Sequence, residues 1–270
     1  MAEPRLAGLG LHTGAATEVV LCRRTTAGIT LWRRDSAPEE RFDASLEAVV
    51  CGARRTTLRA QSGRTLSTVE HALAACAGLG RWETCIAVDG PELPIADGSA
   101  LPYCELLGDG PEAPGRPWRV AGSFAWEGAR GARYRLAPAD HGRLSATSVF
   151  DHPLIGTQRM GWDVGDVGTF RAEIAPARTF GFVEELEALR RAGLIRGATL
   201  ECALLFDADQ PLGEPRFADE PGRHKLLDLI GDLALLGGPI RGVLEAERPG
   251  HGATAAFLRA AIDAGALVRE

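Results

Sequence analysis

The chain has no CxxC pair. Its six cysteines, Cys22, Cys51, Cys76, Cys85, Cys104 and Cys202, are scattered through 270 residues. That spacing argues against a disulfide framework and equally against a zinc finger. Reduced, mostly buried thiols and a cytoplasmic location are expected. No stretch approaches the roughly 18–20 apolar residues that cross a bilayer, so no transmembrane segment is expected. The start, Met1-Ala2-Glu3-Pro4, offers neither the basic opening nor the apolar segment of a secretory leader. Positive charge is also short: 30 Lys and Arg stand against 36 Asp and Glu, a formal net charge of −6. Proteins that live on nucleic-acid phosphates carry a basic footprint. A nucleic-acid partner is therefore not expected, and an anionic ligand would have to be met by local basic residues.

What is present is ordinary globular material, 45% hydrophobic and 24% charged, with length for one large domain or two small ones. Pro111-Glu112-Ala113-Pro114-Gly115-Arg116-Pro117 is the best linker candidate. It divides the chain into domains at 1–112 and 113–270. Both halves mix strand and helix patterns. Strands are expected at Glu18–Cys22, Gly28–Trp32, Thr84–Val88, Arg133–Leu136, Leu144–Phe150 and Thr199–Phe206. Helices are expected at Ser67–Ala77, Leu101–Leu107, Val183–Ala192, Arg223–Leu236 and Thr254–Ala264. Gly237-Gly238 is the usual stop for the long helix. Strands and helices in both halves predict α+β layers, not one parallel sheet. A faint echo links Glu70-His71-x-Leu73, leading to Gly78, with Arg223-His224-x-Leu226, leading to Gly231. Two similar domains, each lending a helix-opening histidine to a shared cleft, would produce it.

Four segments could carry chemistry, and each has an ordinary alternative. His224 and Asp228 share a helix face, with Asp232 one turn further. Leu226, Leu227, Leu229, Ile230 and Leu233 make that helix apolar enough to be buried, so the polar stripe needs partners. A divalent metal would satisfy it; a solvent-facing stripe or a salt-bridged helix end would also account for it. Ser67-Thr68-Val69-Glu70-His71 matches a capping box, which local grounds favour over a metal-ligating His71 beside a basic Glu70. Arg178-Thr179-Phe180-Gly181-Phe182 could offer a hydroxyl to an oxyanion or be a strand-to-helix turn with core phenylalanines. Pro249-Gly250-His251-Gly252 could present a general acid or an exposed loop histidine.

Six segments together, in order along nearly the whole chain, resemble one family, the UDP-3-O-acyl-N-acetylglucosamine deacetylases of lipid A biosynthesis in Gram-negative bacteria. They are Gly8-Leu9-Gly10-Leu11-His12-Thr13-Gly14, Ser67 to His71, Glu92-Leu93-Pro94-Ile95-Ala96-Asp97-Gly98-Ser99-Ala100, Ala177 to Phe182, Arg223 to Asp232, and Gly250-His251. The resemblance implies two similar two-layer α/β sandwich domains packed face to face with the active site between them. It implies Zn²⁺, with Fe²⁺ as an alternative ion in the cell, held by His71, His224 and Asp228. Glu70 would be the general base that activates the attacking water. His251 would aid the oxyanion and protonate the leaving amine, Asp232 would hold His251, and Thr179 would hydrogen-bond the reacting carbonyl. Lys225 would sit near the substrate's phosphates, and Phe180 and Phe182 near its sugar. An insert at 183–207 would form an apolar passage for the acyl chain. The implied reaction is hydrolysis of a linear amide: the N-acetyl group of an acylated UDP-sugar is released as acetate. A monomer is expected. Three features depart from the family pattern. Trp82 and Glu83 stand where an Asp-Asn pair is usual, Gly222 replaces a larger apolar residue, and the lead-in before Gly8 is short.

Overall fold

The computed structural model describes residues 4–22, 27–35, 39–51, 54–109 and 115–270, without the side chain of residue 51. The boundary expected at 112 falls outside the described residues. The first half runs β1 (Arg5–Leu9), β2 (Ala16–Leu21), β3 (Thr30–Arg33), β4 (Glu40–Asp43), β5 (Val49–Cys51), β6 (Thr56–Arg59), β7 (Thr65–Ser67), α1 (Glu70–Gly78), β8 (Cys85–Asp89) and α2 (Leu101–Leu107). The second half begins with β9 (Trp118–Val120), β10 (Phe124–Glu127), β11 (Arg133–Ala137), β12 (Gly142–Val149) and β13 (Thr157–Asp163). It continues with a one-turn α3 (Val167–Thr169), β14 (Phe180–Phe182), α4 (Leu186–Arg191), β15 (Leu204–Phe206), β16 (Pro211–Leu212), α5 (Glu220–Leu233), β17 (Ile240–Glu247), α6 (His251–Asp263) and β18 (Leu267–Arg269).

Each half builds a mixed sheet, and the two sheets share one wiring. The first has the order β1-β2-β8-β3-β4, and the second carries β10-β11-β17-β12-β13 with β9 and β18 added beside the start of β17. Along each five-strand order the central strand is parallel to one neighbour, β8 to β3 and β17 to β12, and every other pair is antiparallel; the added β9 also runs parallel to β17. α1 precedes β8 as α5 precedes β17, and α2 and α6 follow. A small three-stranded sheet enters each half before its main helix, β5-β6-β7 in one and β14-β15-β16 in the other. The echo between the two histidine segments is thus a repeat of topology. It is not a repeat of position: His71 is the second residue of α1, whereas His224 lies a full turn inside α5.

The second sheet alternates strictly along β11, β12 and β17, so one face meets helices and the other meets solvent. The outer face carries a cross-strand ladder of ion pairs, Arg133–Glu247, Arg159–Glu245 and Arg143–Asp163. On the inner side α5 lies on β12 and β13, α2 on β1 and β2, and α1 packs along α5. One continuous apolar cluster runs through both halves and includes Leu31, Leu73, Tyr103, Leu227, Leu244 and Phe257. Two glycines let elements approach at backbone distance. A Cβ at Gly231 would stand 2.2 Å from the Glu70 carbonyl oxygen, and one at Gly78 2.3 Å from the Phe170 ring.

Two departures from the family pattern have local explanations. Trp82 is buried in the seam between the halves, where its ring fills apolar space beside Ala77, Trp162 and Ile230. At Gly222 the space for a larger side chain is taken by Gln158, whose Oε1 accepts from the Gly222 N–H at 2.6 Å.

Most expected elements form. α5 and a following 3₁₀ turn end at Gly237 with φ 70°, a left-handed stop. The insert is shorter in regular structure than its pattern suggests. The expected helix over Val183–Ala192 is a 3₁₀ turn followed by α4, with no fully buried residue. Of the expected strand over Thr199–Phe206, only β15 is extended. Cys76, Cys85, Cys104 and Cys202 are in no disulfide, and burial pushes Cys76 and Cys104 up to about 12, which leaves them unreactive. Among the described residues, no helix is long and apolar enough to cross a membrane.

Candidate metal centre and active site

The structure brings His71, His224 and Asp228 together at the contact of α1 with α5. One ligand atom from each lies within 4.8 Å of the others, and the two imidazoles meet edge to face with centroids 5.1 Å apart. All three residues are buried. Burial, with His224 beside it, pulls His71 down to about 3, and burial likewise lowers His224. Both rings are therefore neutral, as metal ligands must be. Burial disfavours the charged form of Asp228, but the Lys225 ammonium beside it outweighs burial and keeps the carboxylate ionised. His224 Nδ1 lies 3.0 Å from the Ala177 carbonyl oxygen. A donor there fixes the tautomer and leaves the Nε2 lone pair for an ion. His71 Nδ1 is buried with no hydrogen-bond partner, a cost that coordination through that nitrogen would remove. Two neutral imidazoles and one carboxylate form the donor set of a catalytic divalent centre with an open position, so these residues fit a metal.

Glu70, the first residue of α1, is 3% exposed. The capping box expected around it does not form. Ser67 ends β7 and bonds the Thr57 hydroxyl, while Glu70 Oε2 accepts from the Thr56 backbone N–H at 3.0 Å. The reason lies at Thr68, whose φ of 56° puts a β-branched residue in the left-handed region. That turn carries Ser67 away from the helix start. The Thr68 hydroxyl donates to the fully buried Glu92, which also accepts from Thr13 Oγ1 and from the His12 and Thr13 backbone N–H groups. Burial lifts the Glu70 carboxyl to about 7, against the opposing pull of His251.

His251 opens α6, and its Nδ1 lies 2.9 Å from Asp232 Oδ2. Burial pulls the imidazolium down, but Asp232 outweighs it and holds His251 at about 9. The ring is a cation at neutral pH. The Asp232–His251 pair matches the expected contact, and Asp232 continues the α5 stripe of His224 and Asp228.

The remaining expected residues are distributed around this centre. Thr179 is half-buried, with its N–H donating to the Gly98 carbonyl at 2.7 Å and its carbonyl accepting from Leu204. Phe180 turns an edge toward His224 at 6.2 Å. Phe182 joins an aromatic group with Phe150, His152 and Phe206. Lys225 donates to Asp228 Oδ2 at 2.7 Å; the contact it makes in the structure is with the metal-site carboxylate.

Sequence reasoning gave Arg178 no role. It forms a buried pair with Glu220: its N–H and Nε both donate to Oε1 at 2.9 Å, and Nη2 donates to Oε2 at 3.2 Å. This clamps the segment carrying Thr179 and Phe180 to the start of α5. The partners lie 42 residues apart, so no spacing signals the pair. Glu220→Ala would strand a buried guanidinium and is expected to cost about 3–5 kcal/mol of unfolding free energy. Urea denaturation measures it, and a loss under about 1 kcal/mol would remove the clamp from this account.

Converging ligands, a buried carboxylate and a charged His–Asp pair are the outfit of metal-dependent hydrolases. Residues 2–263 match the family model LpxC, UDP-3-O-acyl N-acetylglycosamine deacetylase, and the chain belongs to that family. The chain is similar to the UDP-3-O-acyl-N-acetylglucosamine deacetylase of Phenylobacterium zucineum, 40% identical over 94% of this chain and 89% of the relative. It is also similar to that of Myxococcus xanthus, 40% identical over 91% and 80%, and to that of Haemophilus influenzae, 37% identical over 96% and 87%.

Proposed function

We propose that the chain hydrolyses the N-acetyl group of UDP-3-O-acyl-N-acetylglucosamine, releasing acetate and the free amine, an early committed step of lipid A biosynthesis. The observation that carries this reading is the donor set His71, His224 and Asp228 with Glu70 beside it, in a chain of this family. The ion is Zn²⁺, with Fe²⁺ as an alternative in the cell. A divalent ion there supplies Lewis acidity toward a carbonyl oxygen and toward water. Domains 1–112 and 113–270 each contribute part of the site, the first Glu70 and His71, the second the rest.

Glu70 acts as general base and takes a proton from the attacking water; a carboxyl near 7 is well matched to that task. The Thr179 hydroxyl donates to the developing oxyanion. His251, charged through Asp232, stabilises that oxyanion and then gives its proton to the departing amine. Lys225 lies near the entering phosphates, and Phe180 and Phe182 flank the sugar. The insert forms the acyl passage. Its support is the lack of any fully buried residue in α4, which leaves Leu186 and Leu189 half-covered and able to receive an apolar chain.

The direct test is acetate release from the acylated UDP-sugar, across a series of acyl lengths. Each CH₂ removed is expected to cost about 0.8 kcal/mol in kcat/KM while it lies in the passage. No turnover on any chain length would reject the substrate, and equal turnover on all would reject the passage. A second test is the pH profile. His251 works as the cation, so kcat is expected to fall as pH rises through about 9, and His251→Gln is expected to remove that limb. The same raised pKa contributes stability that is fully present below the ordinary histidine value and is lost as pH rises through about 9. A limb unchanged in the variant would assign it to another group.

A further inference from the structure

We propose that Thr56 is a positioning residue that locks the base and the acid of this site to one another. The proposal rests on the roles given above to Glu70 and His251. Thr56 begins β6 in the first half and is 3% exposed. Its backbone N–H donates to Glu70 Oε2 at 3.0 Å. Its hydroxyl donates to Asp232 Oδ1 at 2.6 Å and lies 3.1 Å from His251 Nδ1. One residue therefore touches the base on α1, the carboxylate on α5 and the imidazole on α6.

The hydrogen count fixes the direction of each bond. A threonine hydroxyl has one hydrogen and two lone pairs. The Asp232 carboxylate accepts at both oxygens, so the hydroxyl hydrogen points to Oδ1. The charged His251 carries a hydrogen on Nδ1, which is shared between Asp232 and the threonine oxygen. Asp232 is thereby held at both carboxylate oxygens, and the imidazole plane is set by two acceptors instead of one. Nε2 is left as the nitrogen whose proton can go to substrate. On the other side, the Thr56 N–H engages Oε2 of Glu70 and fixes the carboxylate in place. The chain around Thr56 is itself anchored: its carbonyl accepts from the Val69 N–H, the residue just before α1. Because Thr56 and Asp232 are 176 residues apart and belong to different halves, this bond also fixes how the halves register at the reacting centre. The other threonine of β6 has no such reach: Thr57 bonds only the Ser67 hydroxyl among its described side-chain contacts.

The test is Thr56→Val, which keeps the backbone N–H and the branched shape but deletes the hydroxyl. Steady-state kinetics, metal content and Tm are read together. A hydrogen bond to a charged group, lost from the transition state, corresponds to about a 10- to 100-fold fall in kcat. KM and bound metal are expected to stay within about twofold, and Thr56→Ser is expected to restore kcat to within about threefold. In an Asp232→Ala background the valine substitution is expected to cost little more, because the partner is already gone. If valine lowers Tm or metal content, Thr56→Ala makes the same deletion without the extra methyl and takes its place. Wild-type kcat in the hydroxyl-free variant, or the same loss in the Asp232→Ala background, overturns the proposal. Glu70→Gln and His251→Gln are measured alongside. Their failure to slow turnover would instead reject the roles on which the proposal rests, so the two failures are distinct.

Discussion

Glu70→Ala is expected to lower kcat by about 10²–10⁴-fold while leaving a divalent ion bound. The carboxylate is not among the three converging ligand residues, so its removal should not empty the centre. Nor does it close a capping box with Ser67: its carboxylate accepts from the Thr56 N–H on β6 and from its own N–H. The deletion also relieves the cost of a fully buried acid, whose carboxyl is already lifted to about 7. Stability should therefore change less than rate. Metal analysis and single-turnover kinetics on the same preparation measure this, and a kcat within about threefold of the parent would leave another group as the base.

Stripping the metal with a chelator is expected to abolish turnover, and restoring Zn²⁺ to recover it. A second readout is independent of activity. An ion that binds the folded chain at a thousand times its Kd stabilises it by about 4 kcal/mol, so Tm should rise on reloading. His71→Ala and His224→Ala are expected to lose that rise. If reloading leaves Tm unchanged and the stripped protein still turns over, the three side chains are a buried polar cluster and not a metal centre.

Much of this was legible in the sequence, for local reasons. The α5 helix, its glycine stop and most strands follow from period and punctuation over windows of a dozen residues. The same local reading found the His224–Asp228 pair, because helical spacing puts those two on one face. It could not find His71 as their partner, since that contact is made by helix packing between halves; the ordered family motifs supplied it. Where local reading misled, a distant contact had intervened. Ser67 and Glu70 have capping-box spacing, but Glu92 holds Thr68 in a left-handed turn and Thr56 takes the Glu70 carboxylate. The insert misled for a different reason. Its apolar residues follow a helix pattern but are not fully covered by this chain, so periodicity overstated the regular structure. Thr56 and Arg178 escaped notice because each works through a partner far along the chain.

Gly231 gives the centre a mechanical meaning. With the α-carbon of one helix lying against the carbonyl of the other at Glu70, the gap between His71 and His224 is gauged by the thickness of a single hydrogen. Any side chain at 231 would act as a shim, widening the separation of the two imidazoles and tilting Glu70 away from them. The tolerance of the whole buried cluster is thus set at a position that carries no functional group at all.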